Sequence, residues 1–580
     1  MTAQPPARRD FLKGIAKIGI GVLCLLMRPG ALQASPDQSE TPAARQAVCP
    51  KSASPAKTLW AVRIQDLDKE SEERLPLSCL QGLVNREQPR IFLAYDRFDD
   101  LWLDWLRERG DVKEVRRVGT KELYDQFLPV VKGLVVTDPD LPGSVNVATM
   151  LAAVEGWLPV TPRLRPQFDQ VKVAMDLRGK WKKNIEAYRW FYSTYGSQMS
   201  RRACANFDPA QFELRDYFVE FKIPLLWVSH PKDAEHSRTA SAAEEAKFAR
   251  EVFKGLPPNI PCLGWWDHGL GGEDGCGEGG PYSGVDLASQ YAKFEICSGW
   301  DGYARGVGNL SVHSGTAATF RQKTMAPPPL ANKVYYDFTR TDGDGPNFWR
   351  QVYRDLWDQP DHGKVPVGWQ LGPTAYDTIP DILDYFYKHA TPCDVFVNAL
   401  TGIGYIHETE YAVMLSTPEQ EVVWNQYLDL SRRYWKLLDL SVLTTWESSK
   451  QMSPLTLGRF TRLPDIKAID GNYSRGESTT PENATFEING VPVFRGVMAA
   501  GGPLDTPDKF ERTVAGVVRD IRKFTPARRP AFLHISLTNW MIDMRALVEI
   551  ERRLGPDYVV VRADQLPTLY KEAKSSAQRQ

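Results

Sequence analysis

The stretch NKVYYDFTRTDGDGPNFW, Asn332–Trp349, sets the reading of the whole chain. Lys333–Thr339 is an apolar run rich in Val, Tyr and Phe, the composition of a buried strand. It gives way to Asp342-Gly343-Asp344-Gly345, and Asn347 follows before a helix-periodic segment begins. Two acids and an amide just past a strand, on a backbone loosened by glycine, can converge on one small polar ligand. An isolated Asp-Gly turn spends its acids on nearby backbone N–H groups. This one heads a repeating strand–helix series, and that favours function.

Downstream the expected strands are Lys333–Thr339, Val365–Leu371, Asp394–Ala399, Ser441–Trp446, Ile466–Asp470, Val491–Val497, Ala531–Leu537 and Tyr558–Arg562. Helix-periodic stretches lie between most of them, the clearest at Asn347–Trp357, Ala375–Ala390, Gln420–Leu438, Lys509–Phe524 and Met541–Leu554. Strand alternating with helix over about 240 residues predicts an α/β fold with a (β/α)8-like barrel. The weak helix after the fifth strand points to an irregular or seven-stranded form, and a doubly wound open sheet is the alternative.

In a barrel the active face is at the carboxyl ends of the strands. Those ends supply Asp342 and Asp344, Trp369 and Gln370, Asn398, Tyr405, His407 and Glu408, then Trp446 and Glu447. Asp470 and Asn472, Arg495, Asn539 and Trp540, and Asp564 complete the set. Acids, amides and tryptophans are what a sugar site needs. His534 lies inside a strand and reads as a satisfied core histidine.

Upstream, shorter strand and helix patterns alternate from Leu59 onward and predict small α/β modules at 58–125, 126–221 and 222–329, ahead of the barrel-like domain at 330–575. None of their strands is followed by a phosphate-binding glycine loop, so a nucleotide site is not expected. Trp265–Ser283 is glycine-heavy and carries Trp265, Trp266 and Glu278, which suit a substrate-lining loop. Residues 1–34 open with Arg8-Arg9-Asp10-Phe11-Leu12-Lys13 before a short apolar run, the pattern of a twin-arginine signal peptide. A periplasmic or secreted protein with no membrane span after signal removal is expected, joined to its first module by a disordered Pro-, Ala- and Ser-rich linker over 35–57.

Net charge is −1, which gives no field for nucleic acid or anionic membrane. The cysteines are scattered, with no zinc spacing, and Cys262, Cys276 and Cys297 are near enough in sequence for one disulfide or for buried free thiols. Neither a metal site nor a cofactor is expected.

Several of these segments resemble the GxGYxYP putative glycoside hydrolase family: Asp342-Gly343-Asp344 with Asn347, Pro366-Val367-Gly368-Trp369, and Gly402-Ile403-Gly404-Tyr405. Gln81-Gly82-Leu83-Val84-Asn85-Arg86, Pro89-Arg90-Ile91 and Asn309-Leu310-Ser311-Val312 are similar to its amino-terminal domains. His407-Glu408 stands where the family has Tyr-Pro. The resemblance implies a polysaccharide or oligosaccharide substrate.

The reading that follows is an exported carbohydrate-active hydrolase cleaving glycosidic bonds with two loop carboxyl groups, one protonated and one ionised. Asp342, Asp344, Glu408 and Glu447 form the catalytic pool; Asn347, Trp369, Gln370, Asn398, Tyr405, His407, Trp446, Trp540, Trp265, Trp266 and Glu278 are the substrate-binding candidates. A metal-dependent deacetylase on the same fold and a non-catalytic glycan-binding protein are the alternatives. The deacetylase lacks the pair of histidines at helical spacing that it requires.

Overall fold

The computed structural model describes residues 47–67, 72–230, 236–266, 282–300, 304–341, 345–446, 454–463, 465–472, 480–499, 501–538 and 541–579. Three small parallel sheets precede a large one. The first joins Thr58–Arg63 (β1), Ile91–Ala94 (β2) and Glu114–Arg117 (β3) in the order β2-β1-β3. The second joins Gly133–Val136 (β4), Trp157–Val160 (β5) and Val173–Asp176 (β6) in the order β5-β4-β6. In the third, Cys204–Asn206 (β7), Leu225–Leu226 (β8), Ile260–Gly264 (β9) and Lys293–Cys297 (β10) run β10-β9-β7-β8. β7 precedes the boundary expected at 221/222, yet it pairs into this sheet through Cys204 and Cys262.

The large sheet comprises Val334–Arg340 (β11), Val367–Leu371 (β12), Asp394–Asn398 (β13), Val442–Trp446 (β14), Ala468–Asn472 (β15), Thr485–Ile488 (β16), Val491–Phe494 (β17), Gly496–Ala499 (β18), Ala531–Leu537 (β19) and Tyr558–Val560 (β20). Its order is β16-β17-β15-β14-β13-β12-β11-β19-β18, with β20 on β11, and among the described residues only the β16–β17 pair is antiparallel. β11 and β19 are buried along their full length, as parallel strands covered on both faces are.

The expected strand Val491–Val497 divides at Arg495. Its first part pairs with β15, Ile469 opposite Val493, and its second with β19, Gly496 opposite His534. One run of chain therefore links two strands that do not pair with each other. The sheet also curls. Asn472 of β15 donates to Gln370 of β12 at 3.0 Å although β13 and β14 lie between them. The molecule is a mixed α/β protein with several parallel sheets.

Several helices start at side-chain caps. Ser416 and Glu419 form a capping box on Thr417–Leu438, and Asp543 accepts from Ala546 N at 2.8 Å ahead of Met544–Leu554. The helix expected over Asn347–Trp357 is broken at Gln351 into Pro346–Arg350 and Val352–Trp357.

Polar contacts tie the modules together. Gln81 donates to Asn309 and Asn85 to Ser311, both at 2.8 Å, so two of the sequence motifs are partners inside the fold. Arg350 reaches back to Asp96 and Asp99 at 2.7 and 2.8 Å. Cys262 and Cys297 are both buried, and Cys276 lies outside the described residues. No described helix is long and apolar enough to cross a membrane.

Candidate active site

Alternate residues of a strand share a face. On the inner face of the curled sheet this brings Asp337 and Thr339 of β11, His534 and Ser536 of β19, Asp470 and Asn472 of β15, and Gln370 of β12 into one column. An apolar floor lies beneath it, including Tyr335, Val395, Val397, Val442 and Phe532. Asp337 accepts from Thr339 Oγ1 at 2.7 Å and from His534 Nδ1 at 3.1 Å. Asp470 Oδ2 is 3.6 Å from the same imidazole nitrogen. Neither carboxyl oxygen of Asp470 has a hydrogen-bond partner, and the residue is 1% exposed. Burial pushes its pKa up to about 8; the His534 charge pulls it down and Asp337 pushes it further up. Above this trio, Ser536 Oγ donates to Asn472 Oδ1, and Asn472 to Gln370. The column runs toward the carboxyl ends of the strands.

At those ends the third module meets the C-terminal sheet. Glu295 of β10 and Tyr405 exchange backbone hydrogen bonds, N to O at 2.8 Å and 3.1 Å, an isolated antiparallel bridge. The two glycines of Gly402-Ile403-Gly404-Tyr405 make that approach possible. Gly402 has φ +114°, and a Cβ on Gly404 would lie 2.3 Å from the Phe294 ring. Trp265 stacks on Tyr405, with ring centroids 6.0 Å apart.

Two buried acids flank this seam in matching circumstances. Glu295 accepts from Trp266 Nε1 at 2.9 Å through one oxygen, and the other has no hydrogen-bond partner. Glu408 accepts from the Thr445 hydroxyl through Oε1, and Oε2 has no partner. Burial outweighs these bonds and pushes each carboxyl up to about 8, so both are protonated at neutral pH. Beside Glu408, the Nδ1 of His407 lies 2.6 Å from Asp286, whose side chain is 32% exposed. A neutral carboxyl of this kind can donate a proton to a leaving oxygen.

Of the residues singled out from sequence, Asp342, Asp344, Glu447, Glu278, Asn539 and Trp540 lie outside the described residues, as does the side chain of Trp446. Gln370 belongs to the inner column, and Tyr405, His407, Glu408 and Trp265 to the seam. Asn347 is buried at the seam, donating to Gly299 O at 3.0 Å. Asn398 faces the helices, accepting from Trp435 Nε1 and donating to Gly402 O at 3.0 Å. Trp369 and Trp266 are fully buried, and their indole N–H groups go to Asp394 and Glu295. These two rings pack the core and offer no open face to a sugar.

Sequence reading missed Asp337, Glu295 and Asp286, and it took His534 for a plain core residue. A signal was present: a charged residue inside an apolar strand run, as in KFEIC of β10, needs a partner or a proton.

Four family models match the chain in succession. The GxGYxYP_N 1st domain covers residues 58–128, the GxGYxYP_N second domain 131–199 and the GxGYxYP third domain 201–315. The "GxGYxYP putative glycoside hydrolase C-terminal domain" covers 332–571. Among solved structures the chain is similar to a protein described as a putative hydrolase from Bacteroides thetaiotaomicron, with a TM-score of 0.74 and 20% identity over 91% of this chain and 97% of that one. At that identity the likeness establishes the fold. No match is found among curated proteins. With all four models falling in order, and with the GxGY segment forming the seam between third module and C-terminal sheet, the chain belongs to the GxGYxYP family.

Proposed function

We propose that the protein is an exported hydrolase that cleaves glycosidic bonds, with Glu408 as the proton donor to the leaving oxygen. The observation that carries this is the state of Glu408: buried, held by Thr445 through one oxygen, unpartnered on the other, and protonated at neutral pH. Glycoside cleavage needs one such acid and one ionised carboxylate. Asp342 and Asp344, which follow β11, and Glu447, which follows β14, are the candidates for the second role. The substrate is a polysaccharide or oligosaccharide, in keeping with the family name. The barrel reading draws its support from the curl that brings β12 and β15 side chains together and from the strand run that serves both β15 and β19. The twin arginines at Arg8-Arg9 support export.

The test is a product assay of the mature protein on a panel of polysaccharides, repeated with Glu408→Gln. Reducing ends released by wild type and lost in the folded variant are the expected result. A variant as active as wild type would remove Glu408 from the mechanism.

A further inference from the structure

We propose that Asp337, Asp470 and His534 form a binding site for a divalent first-row metal ion, with zinc as the best match, inside the C-terminal sheet. The site does not depend on the hydrolase reading or on Glu408. Each of the three residues offers one ligand atom, and these atoms all lie within 4.8 Å of one another. Ligands at about 2.0–2.2 Å from a common ion stand roughly 3–4.4 Å apart, by the geometry of tetrahedral and octahedral shells. The separations of 3.1 Å between His534 Nδ1 and Asp337, and 3.6 Å between the same nitrogen and Asp470, fall in that range.

Asp470 supplies a second, separate observation. Both its oxygens are buried with no hydrogen-bond donor, although Thr339, Ser536, Asn472 and Gln370 line the same face. Those groups bond to one another or to Asp337 and leave Asp470 aside. A buried carboxylate without donors is costly unless a proton or a cation neutralises it. A cation between the three side chains supplies the missing charge and takes up Asp337 and His534 together. The imidazole then carries its proton on Nε2 and presents Nδ1 to the ion. Two carboxylates and one imidazole suit zinc or manganese, whereas calcium takes six to eight oxygens.

The experiment is metal analysis of untagged full-length protein, stripped with chelator, then equilibrated with zinc or manganese and freed of excess. One zinc per chain and a melting temperature raised by several degrees at saturation are expected. Asp470→Asn and His534→Gln should each weaken retention by roughly 100-fold, since each removes a ligand. Glu408→Gln should keep full retention, so failure of the metal site and failure of the proton donor are told apart. Wild-type protein that folds, by its near-ultraviolet dichroism, and holds neither metal above background overturns the proposal. So do ligand variants that bind as wild type does. If Asp470→Asn does not fold, Asp337→Asn and His534→Gln carry the same comparison.

Discussion

Asp394 and Asp470 are both buried carboxyl groups beside a histidine in the same sheet, and they behave oppositely. Asp394, at the start of β13, accepts from Thr391 N and Oγ1, each at 2.7 Å, from Trp369 Nε1 at 2.8 Å and from His362 Nε2 at 3.0 Å. Burial pushes its pKa up, but the bonds and charge of His362 and the bonds from Thr391 outweigh it and hold the group below the usual carboxylate range. Asp470, in the middle of β15, has no donor and is pushed up to about 8. Depth does not separate them; the supply of donors does. Asp394 sits at the amino end of its strand, and Asp470 sits inside the polar column.

The largest expected effect on this comparison is on turnover. Glu408 shares the elevated pKa of Asp470 and also lies at the seam, so Glu408→Gln should lower kcat/KM by about 100-fold or more. The wild-type rate should fall as pH rises through about 8, where the donor loses its proton. A pH profile flat across that range would place the chemistry elsewhere.

Next in size is Asp394→Ala, which strands the Thr391, Trp369 and His362 donors together. It should cost about 3–5 kcal/mol in urea unfolding, the scale for breaking a buried charged pair. Asp470→Asn in chelator-stripped protein should cost far less, because no donor loses its partner. Equal losses in the two variants would dissolve the distinction drawn between them.

The sign of the pH dependence sharpens the same contrast. Asp394 has a depressed folded pKa, so its contribution is present above the unfolded value near 4 and disappears as pH falls through the folded pKa. Asp470 has a raised one, so stripped protein loses stability as pH rises from about 4 to about 8, by about 1.4 kcal/mol per pH unit for this group alone. Asp470→Asn should flatten that slope in urea midpoints taken between pH 5 and 7.5. A smaller effect, about 1–3 kcal/mol of overpacking, is expected from Gly404→Ala, whose Cβ meets the Phe294 ring. Phe294→Leu should recover part of it.

Much of the fold was legible because most strands from Lys333 on are short β-branched or aromatic runs set off by Gly, Pro or Asp. β16 was not, since Thr485–Ile488 is a half-buried hairpin strand without a clear apolar run. Tyr405, His407 and Glu408 of the seam were legible through the glycine motif, while Glu295 and Asp286 on its other side were not. The Asp337–Asp470–His534 trio was not, because it depends on which strands lie near each other across the curl, and spacing along the chain carries no trace of that. Trp369 could have been read better. Adjacent strand residues face opposite sides, so with Gln370 turned inward the neighbouring indole had to point to the helices.

The backbone bridge between Glu295 and Tyr405 also bears on the order in which the molecule is completed. It joins residues 110 apart in the chain, an edge strand of the third module and the loop after β13 of the C-terminal domain, whose apolar residues share one core. Neither half can satisfy those backbone groups alone, so the seam closes only after both have folded. A chain arrested before that step would hold near-native secondary structure and no working site. Competence of the seam thus reports on the whole molecule, and insertions that lengthen the 316–331 connection should slow its maturation more than they weaken either half.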